Sequence, residues 1–94
     1  MNSAESPRRY QLRLVRSAAR SVAEDLPEAV ATACVEFIQG DLLRVPYRVG
    51  KPLCFQLEGK LSARRGTYRI VYTVDEASRD VTVLQVEHRP DAYR

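Results

Sequence analysis

Ninety-four residues, 45% apolar and 29% charged, fit one domain over 1–94 with one modest core and argue against disorder. The apolar runs are too short to cross a membrane, no apolar stretch follows "PRRY" to make a signal peptide, and Cys34, Cys54 and the lone His88 show no metal spacing; no metal or cofactor is expected, and a reduced, bacterial-type cytoplasm is the simplest compartment. The net charge of +3 is uneven: residues 1–43 carry five Arg against six Asp/Glu (−1), residues 44–94 ten Lys/Arg against six Asp/Glu (+4), and the window 44–73 sets seven basic residues against Glu58 alone (+6), a field suited to a phosphate backbone or an acidic protein segment.

Residues 1–8 are polar and read as a flexible tail. In "YQLRLVR" Tyr10, Leu12 and Leu14 alternate with polar residues, which predicts a half-buried strand. "SAARSVAEDL" then places Ala19, Val22, Ala23 and Leu26 on one helical stripe, with Ser17 as its cap. Pro27 suits the opening of a second helix, whose stripe is Val30, Ala31, Cys34, Val35, Ile38 and Leu42. Gly40 weakens this helix and Pro46 ends it, leaving "YRVGKPLC" as a loop.

Beyond that loop the period becomes that of strands, expected near 55–64, 68–74 and 81–87. In the middle strand Tyr68, Ile70, Tyr72 and Val74 face one way, and Arg69, Val71 and Thr73 the other. "DEASRD" is the hairpin loop before "VTVLQVEH", a strand apolar on both faces through Leu84 and therefore central. The order β-α-α-β-β-β predicts an α+β domain: a helical hairpin on one face of a mostly antiparallel, twisted sheet, with the other face partly open.

The N-terminal strand and helical hairpin, "VGKPL", "LEGKLSARRGTYRIVY" and the closing "VEHRPDAYR" together resemble the RelE/ParE toxin superfamily. The resemblance runs from about Tyr10 to Arg94, and the "HRPDAYR" ending is most similar to RelE-type messenger-RNA interferases. It implies the toxin of a bacterial type II toxin–antitoxin pair, an endoribonuclease that cuts mRNA in the ribosomal 30S A site without a metal. It also implies an acidic, RelB-like antitoxin as partner.

Cleavage by an RNase without a metal requires deprotonation of the 2′-OH, stabilisation of a crowded anionic phosphorane and protonation of the 5′-oxygen. Arg69, directed to the open face if Tyr68 and Ile70 pack inward, aligns with the strand arginine that the RelE pattern sets on the scissile phosphate. Arg89 aligns with a second such arginine, and Tyr93 resembles the terminal tyrosine of the pattern at a shorter spacing. Lys60 and Arg64 align with basic residues of the preceding strand. Ser62 stands where the pattern has a second lysine, so the general base stays open: Lys60 if neighbouring cations lower its pKa, or His88, the one side chain that ordinarily titrates near neutrality. Lys51, Lys60, Arg64 and Arg65 are expected to grip RNA backbone. Glu58 and Glu87 are possible bases, more often merely solvated. Two other classes stay in view: a ParE-like inhibitor of DNA gyrase, which would need no nuclease residues, and an inactive member that only binds an antitoxin.

Overall fold

The computed structural model describes residues 9–53 and 59–89. Its elements are β1 (Gln11–Leu14), α1 (Arg16–Arg20), α2 (Glu28–Phe37), α3 (Pro46–Val49), β2 (Lys51–Pro52), β3 (Lys60–Arg65), β4 (Tyr68–Asp75) and β5 (Asp80–His88). Helices α1 and α2 each run on into a π-helical stretch, Ser21–Asp25 and Ile38–Leu42. The five strands form one sheet in the order β1-β5-β4-β3-β2, in which β1 runs parallel to β5 and every other pair is antiparallel. The expected α+β plan holds, and β5 does lie inside the sheet, between β1 and β4.

Local chemistry accounts for most boundaries. Pro27 precedes α2, where its missing N–H costs nothing. Between β3 and β4 Gly66 takes φ +56°, a left-handed conformation that glycine adopts without a Cβ clash and that fits a two-residue hairpin turn. In the β4–β5 loop the Asp75 carboxylate accepts from the backbone N–H of Ala77 at 3.0 Å, which closes the turn.

Several expectations need correction. Ser17 does not cap α1; Val15 holds the cap position, without a side-chain bond. Along the first helix Ala18 and Leu26 are buried and Val22 is half-buried, with Ala19 and Ala23 exposed, a spacing of four that suits the wider π-helical turn after Arg20. Leu14 is 41% exposed although it lies opposite Val83, because β1 is an edge strand. The second helical stretch does stop at Arg44, just ahead of Pro46, but Pro46 also opens a helix: it is the first residue of α3, where φ is already suited to the helix. The supposed loop "YRVGKPLC" therefore contains α3 and the short strand β2, which pairs with β3. Of the strand expected at 55–64, β3 covers 60–65, and residues 55–58 lie outside the described ones.

The core lies between one sheet face and the helices. Ile70, Tyr72, Val81, Val83 and Val86 of the sheet meet Ala18, Cys34, Ile38 and Leu42 of the helical layer. Burying side chains of this size is worth roughly 1.5–3 kcal/mol each for the larger aliphatics. The opposite sheet face carries the polar members of β3, β4 and β5.

Candidate functional site

Strand pairing arranges the open face in rows, because residues directly opposite one another share a face. One row is Lys51, Ser62, Val71 and Gln85 on β2, β3, β4 and β5. The next is Arg64, Arg69 and Glu87, and Lys60 stands opposite Thr73 at the other end of β3. Arg69 thus sits mid-sheet, held by neighbours on both sides, with a second arginine on one flank and a carboxylate on the other.

That carboxylate is the hub of the local electrostatics. Arg69 Nη2 donates to Glu87 Oε1 at 2.9 Å, and Arg89 Nη1 stands 3.5 Å from the same oxygen. Gln85 Nε2 donates to the other oxygen, Oε2. Two guanidiniums and one carboxylate leave a local charge of +1. Arg69 Nε is buried and has no partner among the described residues. The Arg69 side chain is nevertheless 37% exposed and that of Glu87 25%, so an incoming ligand can reach the pair. Beside it lies a groove of about 470 Å³, with Val49, Pro52 and Leu53 as an apolar wall and Lys51, Arg64, Arg65 and Arg69 as its charge. A groove of this kind offers an anion several cationic donors and offers a flat ring an apolar surface to lie on.

The structure therefore brings Lys51, Lys60, Arg64, Arg69 and Arg89 to one side of the sheet. It does not bring His88 there. His88 lies opposite Tyr68, whose ring is buried towards α2 with its hydroxyl 3.4 Å from the Ala33 carbonyl. His88 is thus on the helix-side face, across the sheet from Arg69. Arg65 also pairs with Tyr68, and its guanidinium sits 4.6 Å above the Phe37 ring while its chain borders the groove. Tyr93 and Glu58 lie outside the described residues.

Sequence reasoning missed the importance of Glu87. The cause is a bulge. The register is Tyr72 to Val83 on one side of the irregularity and Val71 to Gln85 on the other, so Leu84 is an extra residue on β5. Extended unbroken from the hairpin, the register would set Val86 opposite Arg69, with Glu87 on the core face and His88 on the open one. The bulge exchanges them. Among the described residues no three His, Cys, Asp or Glu side chains gather as a metal-binding group.

No family model matches the chain. It is 48% identical over 85 residues to the toxin RelG of Mycobacterium tuberculosis, a match covering 90% of this chain and 97% of RelG. To the toxin RelE of the same organism it is 46% identical over 85 residues, covering 90% and 87%. Among solved structures, the toxin–antitoxin complex RelBE2 from M. tuberculosis contains a chain 47% identical, with a TM-score of 0.84 over 88% of this chain and 94% of that one. The isolated RelE toxin of Escherichia coli shares the fold at a TM-score of 0.70 and 20% identity, covering 89% and 90%. Identity of nearly one residue in two across nine-tenths of the chain, on the same sheet and helical layer, makes this protein a member of the RelE family of toxins.

Proposed function

We propose that the protein is an endoribonuclease toxin that cuts mRNA in the A site of the ribosome, in the cytoplasm, and is restrained by an acidic antitoxin. The observation that carries the reading is Arg69, fixed mid-sheet on the open face with Arg64 opposite, Arg89 alongside and the mixed apolar and basic groove next to it. In the cleavage the 2′-oxygen attacks the adjacent phosphorus, its proton passes to a base, and the 5′-oxygen leaves with a proton. The products are a 2′,3′-cyclic phosphate and a 5′-OH. Arg69 and Arg89 stabilise the anionic phosphorane, placing fixed positive charge where negative charge grows. This supplies the charge stabilisation that bound metal ions supply in other nucleases.

Lys60 stands four residues along β3 from Arg64, about 13 Å at strand rise. In this scheme it holds the RNA backbone together with Lys51 and Arg64, and proton transfer falls to Tyr93. An antitoxin is supported by the net +6 of residues 44–73 and by the relatives solved as RelB–RelE complexes. Its acidic segment would cover the same arginines, with an affinity that falls as salt rises.

The test is cleavage of mRNA on programmed ribosomes by the purified chain. Arg69→Ala should lose about a hundredfold to a thousandfold in rate, as for other anion-stabilising donors, and still melt as the parent does. Arg69→Lys should also be impaired, since it keeps the charge without the planar fork. Undiminished cleavage by a folded Arg69→Ala protein, or gyrase inhibition without RNA cleavage, would overturn the reading.

A further inference from the structure

Two cations converge on a single carboxylate oxygen: Glu87 Oε1 is 2.9 Å from Arg69 Nη2 and 3.5 Å from Arg89 Nη1. A point on which two guanidiniums converge is a seat for an anionic oxygen. The carboxylate fills that seat incompletely. Arg69 engages it through one nitrogen, and Nε, the other donor on that edge of the fork, is buried without a partner among the described residues. A buried donor left unmade is costly, and a tetrahedral anion has the extra oxygen that a single carboxylate lacks. Glu87 also has somewhere to go: its second oxygen is already held by the exposed Gln85, two residues along the same strand on the same face of the sheet. The side chains of the ion pairs it would give up are 25% to 57% exposed, so each pair is worth no more than about 1 kcal/mol.

We infer that Glu87 is a built-in stand-in for the phosphate: it occupies the seat between Arg69 and Arg89 in the free toxin, and the substrate phosphate displaces it towards Gln85. The inference rests on the proposed reading of Arg69 and deepens it. On this view Glu87 lowers the grip of the site on polyanions in general, so that only a phosphate delivered in the right geometry takes the seat. It is a specificity-determining residue that acts by competition.

The experiment is binding of a 2′-O-methyl single-stranded RNA, which cannot be cleaved, to the full chain by fluorescence anisotropy over a range of salt. Glu87→Gln and Glu87→Ala should each bind about fivefold to tenfold more tightly than the parent at low salt, the loss of one contacting like charge. Their plots of log affinity against log salt should be steeper by about 0.7, one further phosphate neutralised on a single strand. Arg69→Ala, measured beside them, should bind more weakly and with a shallower slope. Melting curves confirm that each variant is folded, and two different replacements guard against the failure of one. If Arg69→Ala weakens binding but neither Glu87 variant tightens it, Glu87 merely positions the arginines and the inference falls alone. If Arg69→Ala binds as the parent does, the phosphate seat itself is misplaced and both readings fall.

Discussion

Replacing Tyr72 by Phe removes one oxygen from the centre of the molecule. Tyr72 is fully buried, and its hydroxyl donates to the Pro46 carbonyl at 2.6 Å, tying β4 to the first residue of α3. The chain then passes through Gly50 into β2, so this bond anchors the segment that forms the apolar wall of the groove. The fit is close: a Cβ on Gly50 would lie 2.1 Å from the Tyr72 hydroxyl oxygen and 3.0 Å from Ser62 O. Gly50 has an extended φ of −128°, so the obstacle to a side chain there is contact and not backbone strain. Losing the donor to a buried acceptor costs about 1–3 kcal/mol. In a domain of this size each kcal/mol moves Tm by about 4–8 °C, so Tyr72→Phe should melt roughly 10 °C lower. Gly50→Ala forces the hydroxyl aside and should cost about 1–3 kcal/mol as an overpacked site. With the hydroxyl gone most of that clash is gone too, so the double variant should be less destabilised than the sum, by about 0.5–2 kcal/mol. Thermal and urea denaturation followed by circular dichroism measure all four proteins. An unchanged Tm for Tyr72→Phe, or a double variant additive within about 0.5 kcal/mol, would refute the reasoning.

Four further outcomes are expected. Burial pushes the Cys34 thiol up to about 11 and closes it off, so in a Cys54→Ser background iodoacetamide should label the protein only as fast as it unfolds; prompt labelling of the native chain would contradict this. Burial likewise raises the Tyr68 and Tyr72 hydroxyls from 10.0 to about 12. The folded state keeps protons that the unfolded chain releases, so stability is full below pH 10 and drains as pH rises towards 12; denaturant melts should show this limb, and Tyr68→Phe should flatten it. Asp80 is held below the ordinary carboxylate range, first by the Ser78 hydroxyl and then by Arg13, and it joins β5 to β1. Its contribution is present at neutral pH and lost as pH falls through its lowered value, so Asp80→Asn should melt lower at neutral pH and less so in acid; equal melting temperatures at neutral pH would refute it. Finally, His88→Ala should cut mRNA on ribosomes at close to the parent rate, because the imidazole lies across the sheet from Arg69; a hundredfold loss would restore His88 to the chemistry.

The periodicities of this chain were enough to set the α+β plan, the inner place of β5 and the side of β4 on which Arg69 lies. Each depends on local patterning that the hydrophobic effect enforces: Tyr68 and Ile70 are buried against the helical layer, so Arg69 between them faces the other side of the sheet. The charge of residues 44–73 was likewise legible, since seven cations against one anion need nothing from the fold to create a field suited to an anionic partner. The third helix was less legible, because a proline both ends helices and begins them; here it does both, and the buried Tyr72 hydroxyl bonded to the Pro46 carbonyl, a contact the sequence does not display, anchors the new turn.

The composition of the site was decided elsewhere. Whether Glu87 or Val86 stands opposite Arg69, and whether Glu87 or His88 faces the open side, depends on one extra residue at Leu84, since a bulge inverts the facing of every side chain beyond it. Nothing in "VTVLQVEH" marks that bulge, as valine, leucine and glutamine alternate acceptably in either register. It is settled by what β4 and the helical layer demand, with Val83 and Val86 both needed in the core three residues apart, an odd spacing that a regular strand cannot bury on one face. Tertiary packing imposes the bulge, and the bulge puts a carboxylate between the two arginines.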